Sequence, residues 1–267
     1  MRNRSLRLSR WTRVALGLFG LTIFFGIWGA GSITGLASST FLPDPLSVIG
    51  RLLKLVDSPY AGHTLLEHLT ASLFRYGAGL ALAIVVGLPL GLLMGWFRLI
   101  DDIVTPMFDG LRFIAPLAWV PFAALWFGSS LGGPVLVIFT GAFPPVLIGA
   151  YRGARLIDPQ LVEAARMLGT PHRRMLTEIL LPDAVPSIVS GLRVAAGLGW
   201  QSLIGAELIV VSSGIGYMMV QAQAAVSTRT VMAGIIAVGL VGTAVDLLLR
   251  LGEGAVRRRF GVAGPSK

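Results

Sequence analysis

Long runs without charge alternate along this chain with short segments rich in arginine. A helix needs about 20 mostly apolar residues to cross the hydrocarbon of a bilayer, and six such windows occur. Val14 to Ile33 carries no charged residue, and neither does Gly77 to Phe97. A shorter run, Phe113 to Phe127, is lengthened towards its N-terminus by a segment containing Asp109 and Arg112. Pro134 to Tyr151 comes next, then Pro186 to Val211 with Arg193 and Glu207 inside it, and last Val231 to Leu249 with Asp246. The pattern predicts an all-α membrane protein with six transmembrane helices.

Composition sharpens this. Of 267 residues 54% are apolar and 13% charged, against about 25% charged in an average soluble domain, and mean hydropathy is +0.78. A soluble globule is excluded. The 34 glycines and 15 prolines follow no Gly-X-Y period, so a collagen-like chain is excluded too. With no cysteine there is no disulfide, thiolate metal site or cysteine nucleophile. A net charge of +9 would suggest nucleic acid in a soluble domain; here it reads as arginine held in cytoplasmic loops. With the N-terminus inside, the inner segments hold Arg2, Arg4, Arg7, Arg10 and Arg13; Arg98 and Arg112; Arg152, Arg155, Arg166, Arg173 and Arg174; and Arg250, Arg257, Arg258, Arg259 and Lys267. The outer segments hold only Arg51, Lys54 and Arg229. Both termini are therefore expected in the cytoplasm of a multi-pass inner-membrane protein.

The first apolar run exceeds the 7 to 15 residues of a signal-peptide core, which favours an uncleaved anchor over cleavage near Gly35 to Ser38. Beyond it, Asp44-Pro45 offers an N-cap and a first-turn proline, and Leu46, Ile49, Leu52, Leu53 and Val56 recur at helical spacing. With Arg51 and Lys54 opposite, this predicts an amphipathic helix on the outer surface. Within the second window Gly87, Gly91 and Gly95 make a smooth face for close helix approach. Pro116, Pro121 and the pair Pro144-Pro145 are expected to bend or interrupt their helices.

The inner loop between the fourth and fifth windows carries the densest local signals. Asp158 caps a helix that starts with Pro159, and Gly169 can take the left-handed position at its end. Thr170 and Pro171 then start a second helix that is expected to stop near Pro182. Along one side of the first helix lie Leu161, Ala164, Ala165 and Leu168, flanked by Glu163 and Arg166. Such a stripe either packs on the chain's own helices or docks into a groove on a soluble partner. Periodicity alone leaves both open.

The same segment resembles the EAA loop of ATP-binding cassette (ABC) importer permeases: Glu-Ala-Ala, three residues, Gly, nine residues, Ile, one residue, Leu-Pro. Glu163-Ala164-Ala165, Gly169, Ile179 and Leu181-Pro182 meet every spacing. From about His68 to Arg250 the chain is similar to the family's type I transmembrane core. Ala71 to Arg75, Gly87 to Gly91, Leu125 to Gly128, Gly191 to Arg193, Ala206-Glu207 and Phe41 to Pro45 resemble its nitrate, sulfonate and taurine branch. The resemblance implies a division into residues 1–66 (tail, first helix, outer segment), 67–251 (transmembrane domain) and 252–267 (cytoplasmic tail). It implies that the helix from Glu163 to Gly169 is a coupling helix seated in a nucleotide-binding subunit, with Asp158, Leu161, Ala164, Ala165, Leu168, Ile179 and Pro182 in the coupling loop. ATP binding would close two ATPase subunits and swing the helices between outward-open and inward-open forms. The implied partners are a second permease copy, two ATPases, an extracytoplasmic binding protein and the lipid membrane, with a small anion such as an alkanesulfonate, taurine or nitrate as cargo. This chain is then a transport subunit without a catalytic residue. It has no Gly-x-x-x-x-Gly-Lys-Ser/Thr loop, and Lys54 and Lys267 are its only lysines, so ATP and magnesium belong to a partner.

Ionisable side chains inside a span are costly unless paired or wet. Arg193 and Asp246 fall at similar depth, and Arg75 and Glu207 both near outer helix ends, so each couple reads as a helix-pinning ion pair or as part of an anion path. Trp200 and Gln201, in mid-span, are further path candidates. His63, Glu67 and His68 do not make a convincing metal site, because imidazoles five residues apart lie on different helix faces. The rival function is an ion-coupled secondary transporter, which needs an essential mid-membrane carboxylate and leaves the loop spacing unexplained; a scaffold without transport is a third.

Overall fold

The computed structural model describes residues 9–34, 38, 40–157, 159–171, 174–209 and 211–259, and among them every extended element is helical. In chain order these are α1 (Arg10–Ile33), α2 (Pro45–Asp57), α3 (Leu65–Trp96), α4 (Arg98–Leu111), a 3-10 turn (Pro116–Trp119), α5 (Val120–Phe127) and α6 (Gly132–Arg155). Then come α7 (Pro159–Met167), a π-helical turn (Met175–Leu180), α8 (Leu181–Glu207), α9 (Ile215–Ala224) and α10 (Thr228–Arg259).

Among the described residues five helical stretches are long and apolar enough to cross a bilayer: Val14–Ile33, Leu65–Trp96, Gly132–Arg155, Met175–Glu207 and Thr228–Gly254. The third expected crossing is broken. Arg98–Leu111 and Pro116–Phe127 meet the same test only together, and they are bent by 86°. Pro116 explains the break, since a residue before proline avoids the helical region and Ala115 is extended at φ −58°, ψ 138°. Arg112, expected in an inner loop, therefore sits at the break, beside the middle of α6.

α6 is the central strut. A Cβ added at Gly87 would lie 3.1 Å from Val146, and one at Gly95 2.8 Å from the Tyr151 carbonyl, so the expected glycine face of α3 does press on α6. Its other flank meets α8 just as closely: a Cβ on Gly149 would lie 2.8 Å from the Cα of Gly191. Pro144 and Pro145, expected to bend or interrupt this helix, do not interrupt it. Packing on both flanks supports it where two backbone bonds are lost.

Other expectations are corrected in the same way. The second crossing begins at Leu65, capped by Thr64, whose N–H donates to Glu67 Oε2 at 2.7 Å, so Arg75 lies well inside it. Asp44 caps α2 as expected, accepting from Ser47 N–H at 2.9 Å. Of the apolar stripe expected to lie on the outer surface, Leu46, Ile49 and Leu53 are exposed. On its other side α2 buries Val48 and Leu55 against Leu65, Ile215 and Met218, and Arg51 Nε donates to Thr230 Oγ1 at 3.0 Å. His63 precedes α3 and meets His68 edge to face at 5.5 Å, and among the described residues no cluster of three metal-binding side chains occurs.

Candidate functional site

At one end of the bundle α7 projects as a short hairpin. Gly169 has φ +68°, a conformation that glycine adopts without Cβ strain. It closes the helix with two bonds: Thr170 N–H to the Ala165 carbonyl and Gly169 N–H to the Arg166 carbonyl, each 3.0 Å. This pair is the Schellman arrangement. Asp158, the expected cap at the other end, lies outside the described residues, as do His172 and Arg173. One side of α7 anchors it: Ala165 is buried, and Val162 packs with Leu176 on Ala154, Ile157 and Leu180. The other side is open. Leu161 is 52% exposed, Met167 87% and Leu168 84%, and Glu163 and Ala164 are exposed beside them.

The second helix of this loop does not stop at Pro182. The Met175–Leu180 turn is π-helical, and Leu181 N–H reaches back five residues to the Leu176 carbonyl. Widening the turn lets Pro182, which has no N–H to give, enter the first turn of α8. Ile179 and Pro182 are half-buried there. The Met175–Leu180 turn is thus continuous with a crossing helix.

Sequence reasoning missed the anchor at its base. Arg155, the last residue of α6, forms an ion pair with Asp101 of α4, Nη1 to Oδ2 2.6 Å. The same carboxylate accepts from Tyr151 at 3.1 Å and from Thr105 at 2.7 Å. Arg98-Leu-Ile-Asp gave no clue, because the partner is 54 residues away.

At the opposite end Arg75 and Glu207 meet, Nη1 to Oε1 2.9 Å, with the Glu207 side chain fully enclosed. Ser72 Oγ lies 2.8 and 2.9 Å from the two carboxylate oxygens, and Gly216 N–H donates at 3.1 Å. Arg75 also donates to the Ser213 carbonyl at 2.9 Å and to Ser213 Oγ at 2.6 Å. His68 accepts from Gly214 N–H at Nδ1, 3.0 Å, so its proton sits on Nε2, 3.0 Å from the Tyr60 carbonyl. These bonds lash α3, α8 and the turn before α9 together.

The second couple is looser. Arg193 Nε lies 3.0 Å from Asp246 Oδ1, with side chains 36% and 40% exposed. Asp246 also takes Arg250 Nε at 2.7 Å, and Arg193 Nη1 lies 3.6 Å from Glu253. Arg193 and Asp246 line a cleft of about 220 Å³ with Trp200, Gln201 and Gly242. Trp200 is buried edge-on against Tyr76 at 5.4 Å, and its Nε1 has no hydrogen-bond partner among the described residues. Gln201 is exposed and lines this cleft on one side and another, beside Arg112, on the other.

The described residues thus form a bundle of membrane-crossing length with a broken third crossing and an exposed helix closed by Gly169. A family model described as binding-protein-dependent transport system inner membrane component matches residues 87–258. The chain belongs to that family, the type I permeases of ABC importers, which are multi-pass inner-membrane proteins. It is 33% identical over 249 residues to the taurine transport system permease protein TauC of Escherichia coli, covering 93% of this chain and 89% of that one. To the putative aliphatic sulfonates transport permease protein SsuC of Bacillus subtilis it is 35% identical, covering 89% and 84%. To the bicarbonate transport system permease protein CmpB of Synechococcus elongatus it is 33% identical, covering 91% of each.

Proposed function

We propose that two copies of this chain form the path of an ATP-driven importer, with both termini in the cytoplasm. An extracytoplasmic binding protein delivers a small anion, such as an alkanesulfonate, taurine or nitrate. Two ATPase subunits, which hold ATP and magnesium, drive alternating access through α7. Leu161, Glu163, Ala164 and Leu168 enter the ATPase cleft, Ala165 and Gly169 hold the helix in shape, and Ile179 and Pro182 pass its motion to α8; Asp158 would cap its start. Along the path Arg193, Trp200 and Gln201 meet the cargo. Arg75 and Glu207, enclosed by their own partners, fix the far end of the bundle.

The observation that carries this reading is the exposure of Leu161, Met167 and Leu168 on a hairpin closed by Gly169. An apolar face on a helix anchored by its opposite side is shaped for a partner's groove. The test is co-purification with the ATPase encoded beside this chain. The complex is expected with the natural chain, and lost in Glu163→Lys or Gly169→Asp while the bundle still folds. Uptake that persists without any ATPase would instead support an ion-coupled carrier.

A further inference from the structure

α9 ends in the same way as α7. Val226 N–H donates to the Gln223 carbonyl at 2.9 Å and Ser227 N–H to the Ala222 carbonyl at 2.8 Å, the two-bond closure that Gly169 gives the hairpin. The residue in the left-handed position is here a valine, with φ +52°. Branching at Cβ makes that region more costly for valine than for almost any other side chain. Packing does not offset the cost, because Val226 is 67% exposed. Ala61 is the other non-glycine residue at positive φ among the described residues, and it shares a tight turn with Gly62, closed by Tyr60 N–H on the His63 carbonyl at 2.8 Å. No glycine flanks Val226.

A second local rule is broken three residues on. Arg229 lies in the first turn of α10, with no acidic residue beside it there, and a cation at a helix N-terminus opposes the backbone dipole. Its side chain is exposed and makes no hydrogen bond or ion pair among the described residues. The neighbouring cation of α2 is tied down by contrast: Arg51 donates to Thr230 and lies 5.2 Å from the centre of the Tyr60 ring. Val226, Ser227, Thr228 and Arg229 line a cleft of about 240 Å³ with Thr40, from the connection between α1 and α2.

Departures from local preference that the fold does not need mark positions kept for something outside the chain. An apolar knob in a strained backbone, beside an unpaired guanidinium and three hydroxyl side chains, has the mixed character of a protein–protein contact. With α2, it stands at the end of the bundle opposite α7. We infer that this corner between α9 and α10 is where the extracytoplasmic binding protein docks, setting an acidic side chain on Arg229 and an apolar contact on Val226. The inference rests on the importer reading and locates that partner on this chain. A lipid headgroup would take Arg229 alone and gives the conformation of Val226 no purpose.

Titration of the assembled complex, in nanodiscs of neutral lipid, with the binding protein encoded beside this chain tests this. Arg229→Gln is expected to weaken binding by about fivefold and to flatten its salt dependence. Arg229→Lys, which keeps the charge, is expected to stay within about twofold of the natural affinity. Val226→Gly is expected to bind about threefold more weakly or worse, since the knob is gone. Arg229→Gln and Val226→Gly each remove a local cost, so both are expected to melt at or above the natural temperature, which separates lost docking from lost folding. Unchanged affinity in either, melting of either below the natural chain, or an Arg229→Lys as weak as Arg229→Gln overturns the inference. ATPase co-purification reports on the importer reading separately, because α7 lies at the other end. A complex that keeps its ATPase and does not take up the binding protein overturns the docking inference alone.

Discussion

Arg75 and Glu207 meet at 2.9 Å although 132 residues separate them, and the carboxylate also accepts from Ser72 and Gly216. The ion pair is the centre of a buried polar network, so its members are not equivalent to a free couple of charges. Glu207→Ala leaves Arg75 buried without its carboxylate and should destabilise the bundle by about 3–5 kcal/mol. Glu207→Gln keeps an acceptor for Ser72 and Gly216 and should cost less. Exchanging the two, Arg75→Glu with Glu207→Arg, is not expected to restore the melting temperature, because Gly216 N–H would then face a donor. Full recovery would make the pair a simple electrostatic clip.

Arg193 and Asp246 should behave differently. A half-exposed pair contributes about 0–1 kcal/mol, so Arg193→Ala and Asp246→Ala should melt close to the natural protein. Uptake should fall further in Arg193→Ala. A charge exchange is informative only together with Arg250→Ala, because Arg250 lies 2.7 Å from the Asp246 carboxylate. If that triple variant transports normally, Arg193 has no contact with cargo.

Gly169 offers a graded test of the hairpin. A Cβ there meets nothing within 4 Å, so substitution costs only the left-handed conformation, about 1–2 kcal/mol for most residues. Asn tolerates that region better than Ala, and Val tolerates it least. ATPase retention on purification should follow Gly, Asn, Ala, Val. Equal retention by all four would mean that the helix end does not set the docking geometry.

The Asp101–Arg155 contact joins α4 to the base of the hairpin. Asp101→Ala should leave ATP hydrolysis by the assembled complex intact and lower uptake per ATP by about fivefold or more, the range of an ordinary coupling energy. Matched loss of both activities would assign Asp101 to assembly.

Close packing gives a last contrast. Gly149→Ala forces α6 and α8 apart and should cost about 1–3 kcal/mol as overpacking. Gly77→Ala points into open space and should be neutral or stabilising by up to about 1 kcal/mol. Thermal melting in detergent separates the two.

The chain's own order of residues determined its class. Charge-free windows mark the crossings because backbone and apolar side chains have one cheap arrangement in lipid, and the loop from Glu163 to Pro182 carries its caps and spacing within 20 residues. Those signals are local, and helix ends are local physics. What the tertiary structure alone decided are the partners over long separations. It selected which face of α2 is buried, kept α6 unbroken through Pro144 and Pro145, joined Asp101 to Arg155, and set Arg112 at the break of a bent crossing. Each depends on which helix lies alongside. In a bundle held by close contact rather than by water-driven burial, no periodicity within a single helix records its neighbour.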